Sequence, residues 1–393
     1  MYDTIVLKSP EIDIETKDRI ITFCNVYEGI NFETGEILYQ FTSGELEGSY
    51  DYRIRITVDN TEWVNENGIP EKILVPWYVK VECSLHKLMM NHNVYGGPTD
   101  IKKSVAYLVD FLEKSMSIYL PYYDIWQVEK IDVSKIFNCK AKVICKKIME
   151  NLRNSYYTRR KPIIFDTSLM FAGSTCTNKF YWKGPEFKKH DFKRVEKYIK
   201  REVDKSYSVD NGDIIRHKLA LLYKKYELLL EKSMRIIRFE CSIKLRKLKE
   251  LFGSDKVFVF MLDDKILESF RDSELKKIIK EDENEMDIVR RSDLVLERLS
   301  DLYSMELSNS LYSTWTKLVQ FGEEKTKETL ARRTYYKYRK LLIESGISWT
   351  TTNVNLQQFS IVPEDFSFVS DKYVDNSVSE EVDKILSQIE DVA

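Results

Sequence analysis

The sequence predicts an α+β fold class, in which a mixed strand-and-helix N-terminal domain is followed by a mostly helical C-terminal domain. In residues 1–255, short alternating runs of β-branched and aromatic residues are interspersed with helical periodicity. Residues 256–370 show mostly helical spacing, and the break at Leu251-Phe-Gly-Ser-Asp255 marks the expected boundary. Residues 371–393 carry seven acidic and two basic residues, which favours a short docked helix or a partly disordered acidic tail.

Period-two alternation identifies the expected strands. Tyr52–Val58 is the clearest, because Ile54 and Ile56 share one face while Arg53 and Arg55 occupy the other. The remaining strands are expected at Ile5–Leu7, Arg19–Asn25, Lys72–Glu82, Val128–Phe137 and Arg235–Lys244, with a hairpin from Ile163–Leu169 through Gly173-Ser174 to Lys179–Lys183.

Apolar residues three or four positions apart identify the expected helices. Thr99 or Asp100 is a suitable N-cap for the first helix, because its side-chain oxygen can accept a hydrogen bond from a first-turn amide. The expected helices are Asp100–Met116, Lys140–Leu152, Phe187–Lys205, Asp213–Leu230 and most of Leu245–Ile347.

The composition excludes several classes of protein. The chain has 393 residues, of which 43% are hydrophobic, enough for a sizeable core in two or three domains. No run approaches the roughly 18 apolar residues needed to span a bilayer, and the N-terminus lacks signal-peptide features, so we expect no membrane partner. The six cysteines include no C-x-x-C pair, which favours a cytosolic chain with reduced thiols over a structural zinc site.

Charge is distributed unevenly along the chain. Residues Lys183–Leu251 contain twenty basic and eleven acidic residues, a net charge of +9 within a chain of net charge −2. A second basic run, Ala331–Lys340, interleaves five basic residues with three tyrosines. Basic side chains bind phosphates and aromatic rings stack on unpaired bases, so the two runs favour a nucleic acid partner. The alternative is that they form solvated helix faces of an ordinary globular protein.

The common nucleotide- and metal-binding motifs are absent from the sequence. There is no Gly-x-x-x-x-Gly-Lys-Ser/Thr loop, no Gly-x-Ser-x-Gly and no His-Glu-x-x-His, and the four histidines never form a His-hydrophobe-His triplet. We therefore expect no bound ATP.

A candidate nucleophile lies in Lys179-Phe-Tyr-Trp-Lys-Gly-Pro-Glu186. On a strand, Tyr181 would face away from both neighbours, and the Gly-Pro break would return Glu186 towards it. A cation such as Lys183 can activate a tyrosine by stabilising its phenolate. The alternative is an aromatic strand that packs into the core.

Candidate metal ligands lie on three other strands. Asp132 sits in mid-strand between apolar residues, Glu240 shares a strand face with Arg238, and Glu82 precedes the polar turn Asn91-His-Asn93. The alternatives are a surface aspartate, a cross-strand ion pair and a capped turn, respectively. Together with a tyrosine and a basic surround, a hard metal ion held by carboxylates suits transesterification of a DNA phosphodiester.

The order of these motifs resembles the gene II/X family of filamentous phage and plasmid replication initiation proteins. The motifs that carry the resemblance are Met1-Tyr-Asp-Thr-Ile-Val-Leu7, Glu82-Cys-Ser-Leu-His-Lys-Leu88 with Asn91-His-Asn-Val-Tyr-Gly96, Lys130-Ile-Asp132 with Val133–Phe137, Phe180-Tyr-Trp-Lys-x-x-Glu186, Arg238-Phe-Glu240 with Lys247-Leu-Lys-x-Leu-Phe-Gly253, and Arg333–Leu342 with Glu344–Ile347.

The resemblance implies a site-specific, metal-dependent DNA nickase on an antiparallel sheet flanked by helices. Such proteins nick one strand of a double-stranded origin through a 5′-phosphotyrosine bond, leave a 3′-OH for rolling-circle synthesis and later rejoin the displaced strand. The family's nucleophile falls on Tyr181, with Lys183 and Glu186 at the flanking catalytic positions. We assign Mg²⁺ or Mn²⁺ to Asp132 and Glu240, with Glu82 as a further candidate.

The resemblance also implies partners and a location. The expected partners are the replication origin, as duplex and as displaced single strand, and the helicase and polymerase of the host. The expected location is the cytoplasm of a bacterial host. The wider class of such endonucleases binds metal through paired histidines, which this sequence lacks, and His92 replaces an Asn or matches a His in different members.

Two other functions are compatible with the sequence. The first is a catalytically inactive, origin-binding regulator of the same family, which would bind the origin without cleaving it. The second is a structural or interaction protein whose basic face binds RNA or anionic lipid, in which case any polyanion would bind equally well.

Overall fold

A computed structural model gives the structure of the protein. It describes residues 1–30, 33–34, 37–49, 52–66, 69–153, 155, 157, 160–279, 292–349 and 377–391. Residues 350–376, which span the end of the expected C-terminal domain and the start of the expected acidic tail, lie outside the described residues.

Ten strands within the described residues form one antiparallel sheet in the order β2-β3-β4-β5-β1-β6-β10-β9-β8-β7. The strands are β1 (Tyr2–Lys8), β2 (Cys24–Ile30), β3 (Ile37–Ser49), β4 (Tyr52–Glu66), β5 (Ile69–Ser84), β6 (Gln127–Asn138), β7 (Pro162–Ile164), β8 (Ser168–Phe171), β9 (Cys176–Trp182) and β10 (Ile236–Lys244). The antiparallel sheet and the helical C-terminal region confirm the predicted α+β class.

Helices flank the sheet and form the C-terminal region. They are α1 (Ile14–Ile21), α2 (Leu85–Met90), α3 (Ile101–Met116), α4 (Lys142–Leu152), α5 (Lys183–Phe187), α6 (Lys193–Ser206), α7 (Gly212–Ser233), α8 (Leu245–Phe252), α9 (Asp264–Ile279), α10 (Ser292–Leu302), α11 (Met305–Glu328), α12 (Arg332–Glu344) and α13 (Ser377–Asp391). Asp100 caps α3 as expected, by accepting a hydrogen bond from Lys103 N. A π-helical turn, Lys188–Phe192, joins α5 to α6.

The two faces of the central strands differ in polarity because side chains alternate along each strand. On β10, Ile237, Phe239 and Cys241 are fully buried in the main hydrophobic core. Arg238 and Glu240 point to the opposite face. Since antiparallel partners share a face, the same alternation on the neighbouring strands makes one face of the sheet apolar and the other polar.

Two expected strands differ from the structure. The expected strand Arg19–Asn25 is wrong in its first half, because Asp13 caps a helix there by accepting from Thr16 N at 2.7 Å, and a strand begins only at Cys24. The expected strand Ile163–Leu169 is wrong as a single element. It is divided into β7 and β8, which pair with each other across a turn.

Helix α9 packs against the sheet although it lies beyond residue 255. Its Leu267, Leu275 and Ile278 are buried in the main core. A separate cluster that includes Trp315 and Leu342 holds α10, α11 and α12 together. The division of the chain at residue 255 stays a prediction, and α9 shows that packing continues past it.

The acidic tail contains the docked helix that was one of the two expectations. Val382 of α13 is fully buried in a cluster with Leu222 and Leu229 of α7. Glu381 Oε1 lies 3.3 Å from Lys224 Nζ. No helix in the described ranges combines the length and apolarity needed to cross a bilayer.

Candidate active site

A pocket of about 1060 Å³ opens on the polar face of the sheet. Its floor is formed by side chains of β1, β6, β9 and β10, and its walls by the turn between β7 and β8 and by α5. The six residues predicted from the sequence, Glu82, Asp132, Tyr181, Lys183, Glu186 and Glu240, all lie at this pocket or, in the case of Lys183, directly behind it.

Tyr181 lies on β9, directly across from Arg238 on β10, and is half-buried at the pocket floor. Its hydroxyl makes no hydrogen bond to any of the described residues. Burial raises the pKa of Tyr181 well above its usual value, and the charge of Arg238 opposes this shift while Glu240 and Glu186 add to it. The raised pKa favours the neutral phenol form of Tyr181.

Lys183 begins α5 and is fully buried beneath the pocket. Its Nζ donates to Glu186 Oε2 at 2.5 Å and to Asn93 Oδ1 at 2.7 Å. The same Nζ lies 3.6 Å from Asp191, which also pairs with Lys87 at 2.6 Å. The Lys183 ammonium is 6.0 Å from the centre of the Tyr181 ring, so its direct contacts fix Glu186 and the turn of Asn93 rather than the phenol.

Asp132 and Glu240 are buried on adjacent strands at the pocket floor. Burial, together with the charges of Asp3 and Asp132, raises the pKa of Glu240 to about 8. Burial also raises the pKa of Asp132, against the effect of Lys130, whose Nζ lies 3.3 Å from Asp132 Oδ2. Asp132 Oδ1 is buried without a hydrogen-bond partner among the described residues.

These observations fit a bound cation. Burial is the main cause of both raised pKa values, and the unsatisfied Oδ1 of Asp132 is an oxygen available to coordinate a cation. Oxygen ligands of this kind are those preferred by Mg²⁺ and Mn²⁺. However, within the described residues no group of three or more His, Cys, Asp or Glu side chains is arranged to hold a metal ion.

Glu82 and His92 differ in their position relative to the pocket. Glu82 lines it from β5, and its Oε2 lies 3.4 Å from Arg55 Nη1 on the neighbouring strand. His92 is buried behind the pocket, with its ring 6.1 Å from the His86 ring. Burial lowers the pKa of both histidines, that of His86 to about 3, so both are neutral at pH 7.

The sequence reasoning missed the ion pair at the centre of the site. Arg238 Nη2 donates to Asp3 Oδ2 at 2.6 Å, and both side chains are buried. Arg238 also donates to Asn93 O at 2.7 Å and to Ser134 Oγ at 3.0 Å. The available signal was an acidic residue inside the first strand of the sheet, since a buried acid needs a cationic partner.

The rim of the pocket carries additional basic side chains. Lys130 and Lys179 extend from the sheet, while Lys189 and His190 extend from the π-helical turn after α5. The pocket therefore combines buried carboxylates at its floor with cations at its edge. Cations at the rim favour the approach of a polyanion to the pocket.

Fold and site together define an α+β protein with a candidate active site on the polar face of an antiparallel sheet. The family model for the N-terminal part of a phage replication-associated protein matches residues 33–258, which is more than half of the chain. The chain belongs to this family, which confirms the resemblance seen in the sequence and supports a role in phage replication initiation with origin DNA as partner. No curated protein and no solved structure gives a significant match.

Proposed function

We propose that the protein is a metal-dependent, site-specific DNA nickase and strand-joining enzyme that starts rolling-circle replication. The observation that carries this proposal is that Tyr181, a neutral phenol with no protein hydrogen bond among the described residues, faces the same pocket as the buried carboxylates Asp132 and Glu240. All three residues lie within the segment that matches the replication-associated family.

The strand is cut by attack of Tyr181 on the scissile phosphorus. The bond from Tyr181 Oη to phosphorus forms as the bond from phosphorus to O3′ breaks. The phenolic proton passes to Glu186, which Lys183 holds in place, and from there to the leaving O3′. The products are a 5′-phosphotyrosine and a free 3′-OH, and attack by a 3′-OH in the reverse direction rejoins the strand.

Asp132 and Glu240 would hold the Mg²⁺ or Mn²⁺ ion. Bound there, the ion supplies positive charge to the scissile phosphate and favours the phenolate of Tyr181. Arg238 acts in the same direction, because its charge already lowers the pKa of Tyr181 against the effect of burial. Glu82, at the edge of the pocket, is a further candidate ligand.

The proposed partners follow from this reaction. The duplex origin supplies the strand that is cut, and the displaced single strand is later rejoined. The host polymerase extends the 3′-OH while the host helicase separates the strands. The reaction would take place in the cytoplasm of the bacterial host.

The test is cleavage of supercoiled DNA that carries the element's own origin. We expect nicking with Mg²⁺ and none with EDTA, and a covalent DNA adduct on Tyr181. Tyr181→Phe should abolish nicking and leave origin binding nearly intact, because it removes only the attacking oxygen. Tyr119→Phe, at a tyrosine that is 91% exposed and outside the pocket, is the matched control.

Two outcomes would contradict the proposal. Nicking by Tyr181→Phe at the wild-type rate would exclude Tyr181 as the nucleophile. Origin-specific binding by the wild-type protein without any cleavage in Mg²⁺ would instead indicate the inactive regulator.

A further inference from the structure

The C-terminal helical unit presents a basic surface outside the pocket. Helix α12 contains five basic residues and one acidic residue, Glu344, at its end. We define the α12 basic face as the exposed side chains at two adjoining rows of the helix, which are Arg332, Arg333, Tyr336, Lys337 and Lys340. Spacings of four and eight residues place these side chains on one side of the helix.

The opposite side of α12 is committed to packing. Tyr335 and Leu342 are buried in the cluster that holds the three helices together. Arg339 is tied to a neighbouring helix, since its guanidinium forms hydrogen bonds of 2.9 to 3.2 Å with both carboxylate oxygens of Glu323. Because the opposite side of α12 is packed against its neighbours, the α12 basic face is oriented towards solvent.

The chain before α12 forms a helix–turn–helix arrangement. Gly322 interrupts α11 with a φ of 76°, a left-handed conformation that favours glycine. One short helical segment follows, and a turn at Thr329–Ala331 then leads into α12. The first turn of α12, with Arg332 and Arg333, thus starts directly from an exposed turn.

We propose that the α12 basic face binds duplex DNA in the major groove, as a second DNA-binding site separate from the nicking pocket. An α-helix with its side chains, about 10–12 Å across, fits a groove about 12 Å wide. From Arg332 to Lys340 the face is about 12 Å long, which corresponds to about three or four base pairs. The arginines at the start of the helix would reach base edges, and the lysines further along would contact phosphates.

The exposure of the tyrosines favours duplex over single-stranded DNA. The sequence alone suggested that Tyr335, Tyr336 and Tyr338 interleave with basic residues to stack on unpaired bases. In the structure Tyr335 is buried and Tyr338 half-buried, which leaves one exposed ring among the three, that of Tyr336. Single-strand binding relies on several stacking platforms, whereas duplex binding relies on charge and on a helix that fits the groove.

The test compares two double variants in the full-length protein. Arg332→Ala with Lys337→Ala removes two exposed charges from the α12 basic face, and Lys103→Ala with Lys114→Ala removes two from α3, where they are 86% and 76% exposed. We expect the first pair to weaken binding of an origin duplex by at least about tenfold. The slope of log affinity against log salt concentration should fall by about two, because two fewer contacts with DNA mean that about two fewer counterions are released on binding. The α3 pair should leave both quantities unchanged.

Each further outcome supports or overturns this proposal. Both variants must unfold at the wild-type temperature, which is expected because the substituted side chains are exposed. Unchanged duplex affinity of the α12 variant would overturn the proposal. A loss of affinity for single-stranded DNA, heparin or anionic vesicles as large as the loss for duplex DNA would also overturn it. The α12 variant should cleave a single-stranded origin oligonucleotide at the wild-type rate. Because this cleavage depends on the pocket alone, it distinguishes failure of the nickase proposal from failure of the proposal that the α12 basic face binds duplex DNA.

Discussion

Glu240 is the site residue whose ionisation opposes folding most directly, because its carboxyl group is buried. It lies in a buried row of side chains, close to two other carboxylates, and the charge of Arg238 only partly compensates for them. Its pKa of about 8 means that the folded protein binds a proton at this site more tightly than the unfolded chain does. A group of this kind destabilises the fold when it ionises, and it is stabilised by any cation that replaces the proton.

We predict that Glu240→Gln makes stability less dependent on pH. The wild-type free energy of unfolding should fall by on the order of a few kcal/mol as the pH rises from about 4.5 to about 8, because the raised pKa favours the folded state only while the group is protonated. The glutamine side chain of the variant cannot titrate, so the stability of the variant relative to that of the wild type should increase as the pH rises over this range. Urea unfolding at pH 5 and 8.5 without divalent ions measures the difference.

The exposed substitution Glu306→Gln is the control for this prediction. It should shift stability equally at both pH values. A stability difference between Glu240→Gln and the wild type that is the same at pH 5 and pH 8.5 would show that Glu240 does not titrate in this range.

The sequence predicted individual site residues better than it predicted their partners. Tyr181, Asp132 and Glu240 could be selected because strand alternation places each on a polar face. Asp3 could not be matched with Arg238, because 235 residues separate them and the register of two strands flanking a third is not encoded locally. The roles of the selected residues stay predictions.

At the scale of single elements, most helices and strands were predicted, and the errors have physical causes. Ile20 and Ile21 are β-branched and favour a strand in isolation, yet the Asp13 cap and the packing of Ile20 in the core stabilise a helix. At residues 163–169 the apolar run continues across a turn, so composition could not show that β7 and β8 are separate.

Helix α13 offers a test of an element that is held by its packing against α7. We predict that Val382→Asp releases it from α7, because an unpaired carboxylate in a fully buried position costs several kcal/mol. Limited trypsin digestion should then cut after Lys384 at least about tenfold faster, because a protease needs the chain released from its helix.

Ser387→Asp introduces the same charge at an exposed position of α13 and is the matched control. It should be cleaved at the wild-type rate. Cleavage of the Val382→Asp variant after Lys384 at the wild-type rate would mean that the docking of α13 does not depend on Val382.

At the scale of the whole molecule, α9 links residues beyond 255 to the sheet. Glu274 Oε2 accepts hydrogen bonds from Tyr157 and Asn178, both at 2.8 Å, on the apolar side of the sheet. The break at Leu251-Phe-Gly-Ser-Asp255 predicted the boundary, and α8 ends there at Phe252. The break could not reveal that the next long helix, α9, returns to the same core.

We predict that a fragment of residues 1–279 unfolds cooperatively and that a fragment of residues 1–255 does not. The shorter fragment exposes the surfaces that Leu267 and Leu275 cover and leaves Tyr157 and Asn178 without their acceptor. Thermal unfolding followed by circular dichroism distinguishes them. Equal melting temperatures for the two fragments would establish residue 255 as a true domain end.

The order of strands in the sheet sets when the pocket can exist during synthesis. Asp3 is synthesised 235 residues before its partner Arg238, which lies on β10. Until then β6 has no neighbour on one side, and neither Glu240 nor Arg238, the partner of Tyr181 on β10, is present. A nascent chain therefore carries Tyr181 before Arg238 and Glu240, and the candidate site is complete only after β10 has joined β6 and β9.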